Sequence, residues 1–359
     1  MKKQFYFLGS SISMTIGLLN AAQQTNANAQ PSQQESVTTQ PRGMITPAVA
    51  PRVRDGAGLN FTADFIWWKT NIGGMEYAMS GVADGGDYVP FGSNVKKGNI
   101  VQPNFDFAPG LKIGAGLDFA YDGWDLYANY TWLNGATKHN SISSHSGNAA
   151  VTLIPTVGLN GGSFNTYITK QRSKWRQYFD VIDLELGRNF FISRHLTLRP
   201  HFGLKSAWIG EKFKLWCLDE NTNFIDKQTR NQNLWGIGIR AGVNTVWHFS
   251  RNWGLYGDLA ATGLWSDFHV TAKDRETHLP TATTANTLNT RQVITEVIPV
   301  VELGLGLTYM TWFDNDQYLF QASAGWEKQV WLDFNHFMHT YRTGNLSLQG
   351  LTIKLGFAF

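Results

Sequence analysis

The chain has 359 residues, of which 43% are hydrophobic, 14% aromatic and only 16% charged, with a formal net charge of +3, 36 Gly and one Cys. Soluble domains carry about 25% charged residues, yet the mean hydropathy is −0.24 and no run beyond the N-terminus reaches the ~18 apolar residues of a helical span. These values exclude a multi-span helical membrane protein, general disorder, an internal disulfide framework and a four-Cys zinc site; without a Lys/Arg cluster, nucleic acid is not an expected partner.

In chain order, residues 1–29 read as a secretory signal peptide. Lys2 and Lys3 precede a moderately apolar stretch over 5–19, and Ala27-Asn28-Ala29 forms an A-x-A cleavage site. Cleavage after Ala21 is a second possibility. Residues 30–57 hold Pro31, Pro41, Pro47 and Pro51 among Gln, Ser and Thr, with no period of 2 or 3.6. They read as a flexible periplasmic linker.

From Gly58 to Phe359 the pattern has period two. Leu59, Phe61, Ala63, Phe65 and Trp67 fall on one face, and Asn60, Thr62 and Asp64 on the other. The same alternation predicts strands over 58–69, 109–121, 124–134, 176–190, 196–215, 233–249, 253–267, 293–310, 317–334 and 346–359. Loops at 70–108 and 135–175 have room for another hairpin, with Met75, Tyr77 and Met79 as one candidate, so 12 or more strands are possible. Pro200 and Pro299 fall within strands, where bulges would accommodate the missing N–H.

Several features favour a transmembrane antiparallel up-and-down β-barrel over a soluble sandwich. Some strands run near 15 residues, against about 5–6 in soluble proteins. Aromatic residues gather at strand ends: Trp67, Trp132, Trp235 and Trp265 at one end, and Trp124, Trp247, Trp253 and Trp312 at the other, joined by Tyr121, Phe190, Phe249 and Tyr309. That is an interfacial girdle on each side of an apolar band. Short connections (122–123, 192–195, 250–252 and 313–317) alternate with long polar ones (70–108, 135–175, 216–232, 268–292 and 335–345), as short periplasmic turns alternate with long external loops.

The inner face then carries Asp64, Lys112, Asp118, Asp125, Asp183, Glu185, Arg199, His201, Lys205, Arg240, Asp258, Glu302, Glu327 and Lys354. These are the pore-lining candidates of a water-filled lumen whose charges tune ion preference; alternatively they form a charge-paired plug in a narrow bore. Inner-face glycines at 114, 116, 236, 238, 242, 304 and 306 either open space or permit curvature. Asp267 with His269, and Asp333 with His336 and His339, resemble the acid–base pairs of an outer-membrane barrel hydrolase, the lesser alternative, but read as polar loop residues. There is no G-x-S-x-G and no H-E-x-x-H. No enzyme activity, catalytic residue, metal or cofactor is expected. Cys217 reads as a rim residue or an interchain disulfide former.

The segments YDGWDLYANYTWL (121–133), RPHFGLKSAWIGEKF (199–213), NLWGIGIRAGVNTVWHF (233–249), LYGDLAATGLW (255–265) and DQYLFQASAGWEKQVW (316–331) resemble the pore-forming major outer membrane protein family of the Legionella and environmental-chlamydia type. The resemblance spans about 58–359. It implies an abundant porin or structural surface protein of the bacterial outer membrane, disulfide-linked in chlamydial members. Phe357 and Phe359, in phase with Leu355, resemble the C-terminal signal read by the barrel-assembly machinery; Lys354 stands where that signal usually has glycine. The expected partners are the lipid bilayer and lipopolysaccharide, the assembly machinery, a second copy in a homo-oligomer, and host-surface ligands of the external loops.

Overall fold

A computed structural model describes residues 57–83, 95–119, 123–136, 140–143, 152–155, 170–219, 223–314, 317–337 and 344–359. The signal peptide, nearly all of the linker, Tyr121 and His339 lie outside the described residues.

The strands are β1 (Ala57–Ile72), β2 (Ala78–Ala83), β3 (Val95–Val101), β4 (Phe107–Phe119), β5 (Trp124–Ala136), β6 (Asn140–Ser143), β7 (Thr152–Pro155) and β8 (Lys170–Arg188). They continue with β9 (Phe190–Phe191), β10 (Leu196–Asp219), β11 (Phe224–His248), β12 (Trp253–His278), β13 (Thr283–Phe313), β14 (Tyr318–Trp331) and β15 (Leu346–Ala358). Ten of them, β1, β4, β5, β8 and β10 to β15, pair in that order, each antiparallel to the next. The ring closes where β1 meets β15, from Asn60 opposite Ala358 to Ile72 opposite Leu346. Closure leaves no unpaired edge, which lipid requires.

Alternation of side chains builds the wall. Along β8 every second residue from Gln171 to Gly187 is buried. Outward positions such as Phe61, Ile113, Ile182, Phe202, Ile239 and Leu305 are large, apolar and exposed, as a lipid-facing band should be.

The ring has the ten strands that the alternation predicts, among the described residues, whereas three other expectations change. The segments at 70–108 and 135–175 carry a separate three-stranded sheet of β3, β2 and β7. Of the candidate strand, Met79 lies in β2, whereas Met75 and Tyr77 precede it and are buried. Next, 216–232 and 268–292 are not long loops. β10 to β13 run for 24, 25, 26 and 31 residues, whereas about 9–11 cross a membrane. The outer part of β11 is polar on both faces (Asp226 and Gln228 inward, Lys227 and Thr229 outward), so hydropathy does not distinguish it from loop.

The prolines need no bulge, because the register passes through both unbroken. Each stands one residue past the end of a neighbouring ladder, which starts at His201 on the β8 side and at Val300 on the β14 side. Finally, Trp312 falls on the inner phase of β13 and lines the lumen; it does not belong to the girdle. Trp67, Trp132, Trp235, Trp265, Trp247 and Trp253 are exposed on the outer wall, and Trp124 is half-buried beneath the Arg188 guanidinium.

Candidate functional site: a layered lumen

The inner face is built in two layers. The layer nearer the short turns encloses a cavity of about 440 Å³. Thirteen of the fourteen inner-face candidates line it; Lys205, fully buried, stands just outside the lining set. All fourteen project inward because the strand period places them on that face.

Their charges engage one another. Arg199 reaches Asp125 from Nε at 2.9 Å, and Glu185 and Asn244 from Nη1 at 3.0 and 2.8 Å. Arg240 bonds Glu302 at 2.6 Å and also pairs with Glu185. Lys205 Nζ lies 2.6 Å from Asp183 and 2.8 Å from Glu302. That bridge joins β10 to β13 across the two intervening strands. Lys112 pairs with Glu327 and rests over Trp68, 4.7 Å from the ring centroid. Asn60 donates to Asp118, Asn244 donates to Asp258 and Lys354 covers Tyr127. Asp64 retains a buried oxygen without a hydrogen bond in this arrangement. Charges removed from water are tolerated when paired and hydrogen-bonded.

The inner glycines receive neighbouring side chains. A Cβ on Gly114 would collide with the Tyr127 hydroxyl, and one on Gly187 would meet the Arg199 guanidinium at 2.6 Å. They make room for the network rather than an open bore.

Beyond the charged layer the lumen is filled by a cluster of large aromatic side chains, with buried polar groups such as Thr70, Gln177 and Glu211 hydrogen-bonded beside it. Trp68, Phe179 and Trp331, all at most 1% exposed, occupy the same inward phase as Asp64, Asp183 and Gln329. Phe334 and Phe337, from the segment between β14 and β15, insert among them. Phe334 meets Trp331 at 6.4 Å and Phe268 at 5.8 Å, and Phe337 meets Phe213 at 6.5 Å. Tyr77, Met75 and Phe105 join the same cluster.

Side chains tether the inserted segment. Gln232 donates to the Phe334 carbonyl and accepts from the His336 N–H, each at 2.8 Å. Asn335 donates to the Gly73 carbonyl at 2.8 Å, and His336 Nε2 lies 2.6 Å from Glu296.

Sequence reasoning missed this apolar layer, although the signal was present. Trp68 and Phe179 stand in phase with inner-face carboxylates, but large apolar residues were assigned only to the lipid face. Asp267 and His269 project outward from the wall, and Asp267 accepts from Thr295 at 2.6 Å. His336 serves the tether. Cys217 is fully buried on the inner face beside Gln171, and burial pushes its thiol up. That placement corrects its reading as a rim residue or interchain bridge.

Solved structures similar to this chain include the outer membrane protease OmpT of Escherichia coli, 8% identical, covering 84% of this chain and 96% of its own, with a TM-score of 0.36. A major outer membrane protein from Thermus thermophilus is 10% identical, covering 84% and 99%, with a TM-score of 0.31. The toluene transporter TodX of Pseudomonas putida is 9% identical, covering 85% and 90%, with a TM-score of 0.19. No curated protein matches the chain. Residues 54–359, the whole barrel, match the family described as Legionella pneumophila major outer membrane protein precursor, so the chain belongs to that family of pore-forming bacterial outer-membrane proteins.

Proposed function

We propose that the protein is an outer-membrane channel for small solutes or ions, and a structural surface protein, held in a shut conformation. The observation that carries this reading is the cavity of about 440 Å³, lined by charges of both signs within a closed wall. The barrier above it includes the segment that bears Phe334 and Phe337. Side-chain hydrogen bonds tether this segment, so it can leave while the wall stays paired. The reading is non-enzymatic. Phe357 and Phe359, exposed on the last strand, fit a role in recognition by the assembly machinery.

Planar-bilayer recording tests the proposal. Discrete conductance steps are expected, with a larger open fraction for Phe334→Ala/Phe337→Ala and for Gln232→Ala. A membrane that stays sealed over a wide voltage range, for the native chain and these variants alike, would sink it.

A second reading is a plugged scaffold or adhesin. It draws on the burial of Trp68, Trp175 and Trp331, which pack as a protein core does. On that reading the Phe variants lose stability without gaining conductance.

A further inference from the structure

We propose that the outer face of β8 and β10, just beyond the aromatic girdle, binds the phosphate groups of lipopolysaccharide in the surrounding leaflet. Arg172, Lys174 and Arg176 on β8, and Lys212 and Lys214 on β10, share the outward phase of the lipid-facing Tyr178 and Trp208. The register sets Arg176 directly opposite Lys212, and Lys174 directly opposite Lys214. The Arg172 guanidinium stacks on Trp216 at 5.1 Å, and Lys227 stands opposite Trp216 on the other side. Six cations thus crowd one patch. In the sequence they are interleaved with inward-facing residues and split among three strands, so no basic cluster stands out.

Like charges directly opposite in a sheet destabilise it, and among the described residues no carboxylate offsets these. The outward cross-strand neighbours on β11 are Asn231 and Thr229. Along β8 the next outward carboxylate, Asp180, is engaged by the Tyr130 hydroxyl at 2.6 Å. Among the described residues no ion pair joins any of the six to an acid.

Height identifies the occupant. Arg176 lies two residues past Tyr178, and Lys212 four past Trp208. At ~3.3 Å per residue and a tilt of about 45°, Arg176 and Lys212 stand roughly 5–9 Å above those two aromatics, at the level of the headgroups, and the other four cations stand further out along their strands. The patch continues the lipid-facing wall of the same strands, so its partner shares the membrane with that wall. Arginine matches phosphate in bidentate geometry, and lysine supplies a point charge.

The test titrates the full chain, folded in detergent, with bisphosphorylated lipid A and with the same lipid dephosphorylated. The phosphorylated form should bind at least tenfold more tightly, and the preference should weaken with salt. Arg176→Ser/Lys212→Ser/Lys214→Ser should lose at least tenfold of that affinity. Arg251→Ser, at a short turn on the opposite end, should not. Heat-modifiable migration reports folding, and Lys212→Gln/Lys214→Gln serves in place of the triple variant if the latter does not fold. Equal binding of both lipids, or native-like binding by the variant, overturns the proposal. Capture of heparin or inorganic phosphate with no binding of lipid A also overturns it, in favour of a soluble polyanion.

Discussion

At the scale of single residues, the lumen depends on charges that lean on one another. Lys205 is fully buried and holds Asp183 and Glu302 together. Its replacement by Met leaves Asp183 and Glu302 facing each other with Arg240 still beside them, and breaking a buried pair from one side costs about 3–5 kcal/mol. Denaturant unfolding of the folded barrel should record a loss of that order for Lys205→Met. A native-like midpoint would mean that water already reaches the pair. Asp226 offers a pH test outside the membrane, nine residues beyond the girdle residue Trp235 along β11. Burial, with Asp274 and Glu276 nearby, pushes its carboxyl up from 3.8 to about 6 against the opposing hydrogen bond from Gln228. An acid raised on folding favours the fold while protonated. Its contribution is therefore complete below about pH 4 and is lost as pH rises through 6. The β10–β11 tip should exchange amide hydrogens more readily at pH 7 than at pH 4.5, after correction for intrinsic rates, and Asp226→Asn should remove the difference.

At the scale of elements, the wall and its insert obey different rules. The strands are fixed by pairing with both neighbours, whereas the segment carrying Phe334 and Phe337 is held by a few backbone bonds at its base (Leu332 to Pro299, Phe334 and Asn335 to Gly344), by Gln232, Asn335 and His336, and by aromatic contact. Its base permits almost no bulk, because a Cβ on Gly344 would clash with the Gly73 carbonyl. The long strands behave in the opposite sense. Near the tip of the β12–β13 hairpin, residues 279–286 are all exposed, and the register shifts once, at Asp274 and Arg275. Replacing the turn 279–282 with a two-residue Asn-Gly turn should leave the unfolding midpoint within about 0.5 kcal/mol of native, since exposed tips tolerate change. A collapse in heat-modifiable folding would show that the turn supports the barrel. Pro200 and Pro299 belong to this scale as well: each is accepted because a neighbouring strand has stopped pairing beside it, a fact about strand lengths rather than local sequence.

At the scale of the whole molecule, the lumen combines a wet, charged chamber with a dry aromatic seal. The inner-face charges comprise eight carboxylates (Asp64, Asp118, Asp125, Asp183, Glu185, Asp258, Glu302 and Glu327) against five bases (Lys112, Arg199, Lys205, Arg240 and Lys354). A path through that excess favours cations over anions. The reversal potential in a salt gradient should carry the sign of cation preference, and Asp258→Asn/Asp64→Asn should reduce it. An anion-selective potential would show that the conducting path bypasses these residues.

The sequence by itself determined the barrel. A two-residue period, girdle aromatics and a polar phase are local properties, because neighbouring side chains on a strand point to opposite faces whatever the strand pairs with. The ten-strand ring and the inward direction of all fourteen candidate charges were legible for that reason. What fills the lumen was decided only in three dimensions. Period two separates inside from outside but carries no height, so Asp64 and Trp68 share a face while one lines a charged chamber and the other a seal. The partners of Lys205 lie on β8 and β13, and those of Phe334 on β12 and β14; such pairings arise only when the ring closes. The basic patch on β8 and β10 follows the same logic: its residues are far apart along the chain, and only the register sets them side by side.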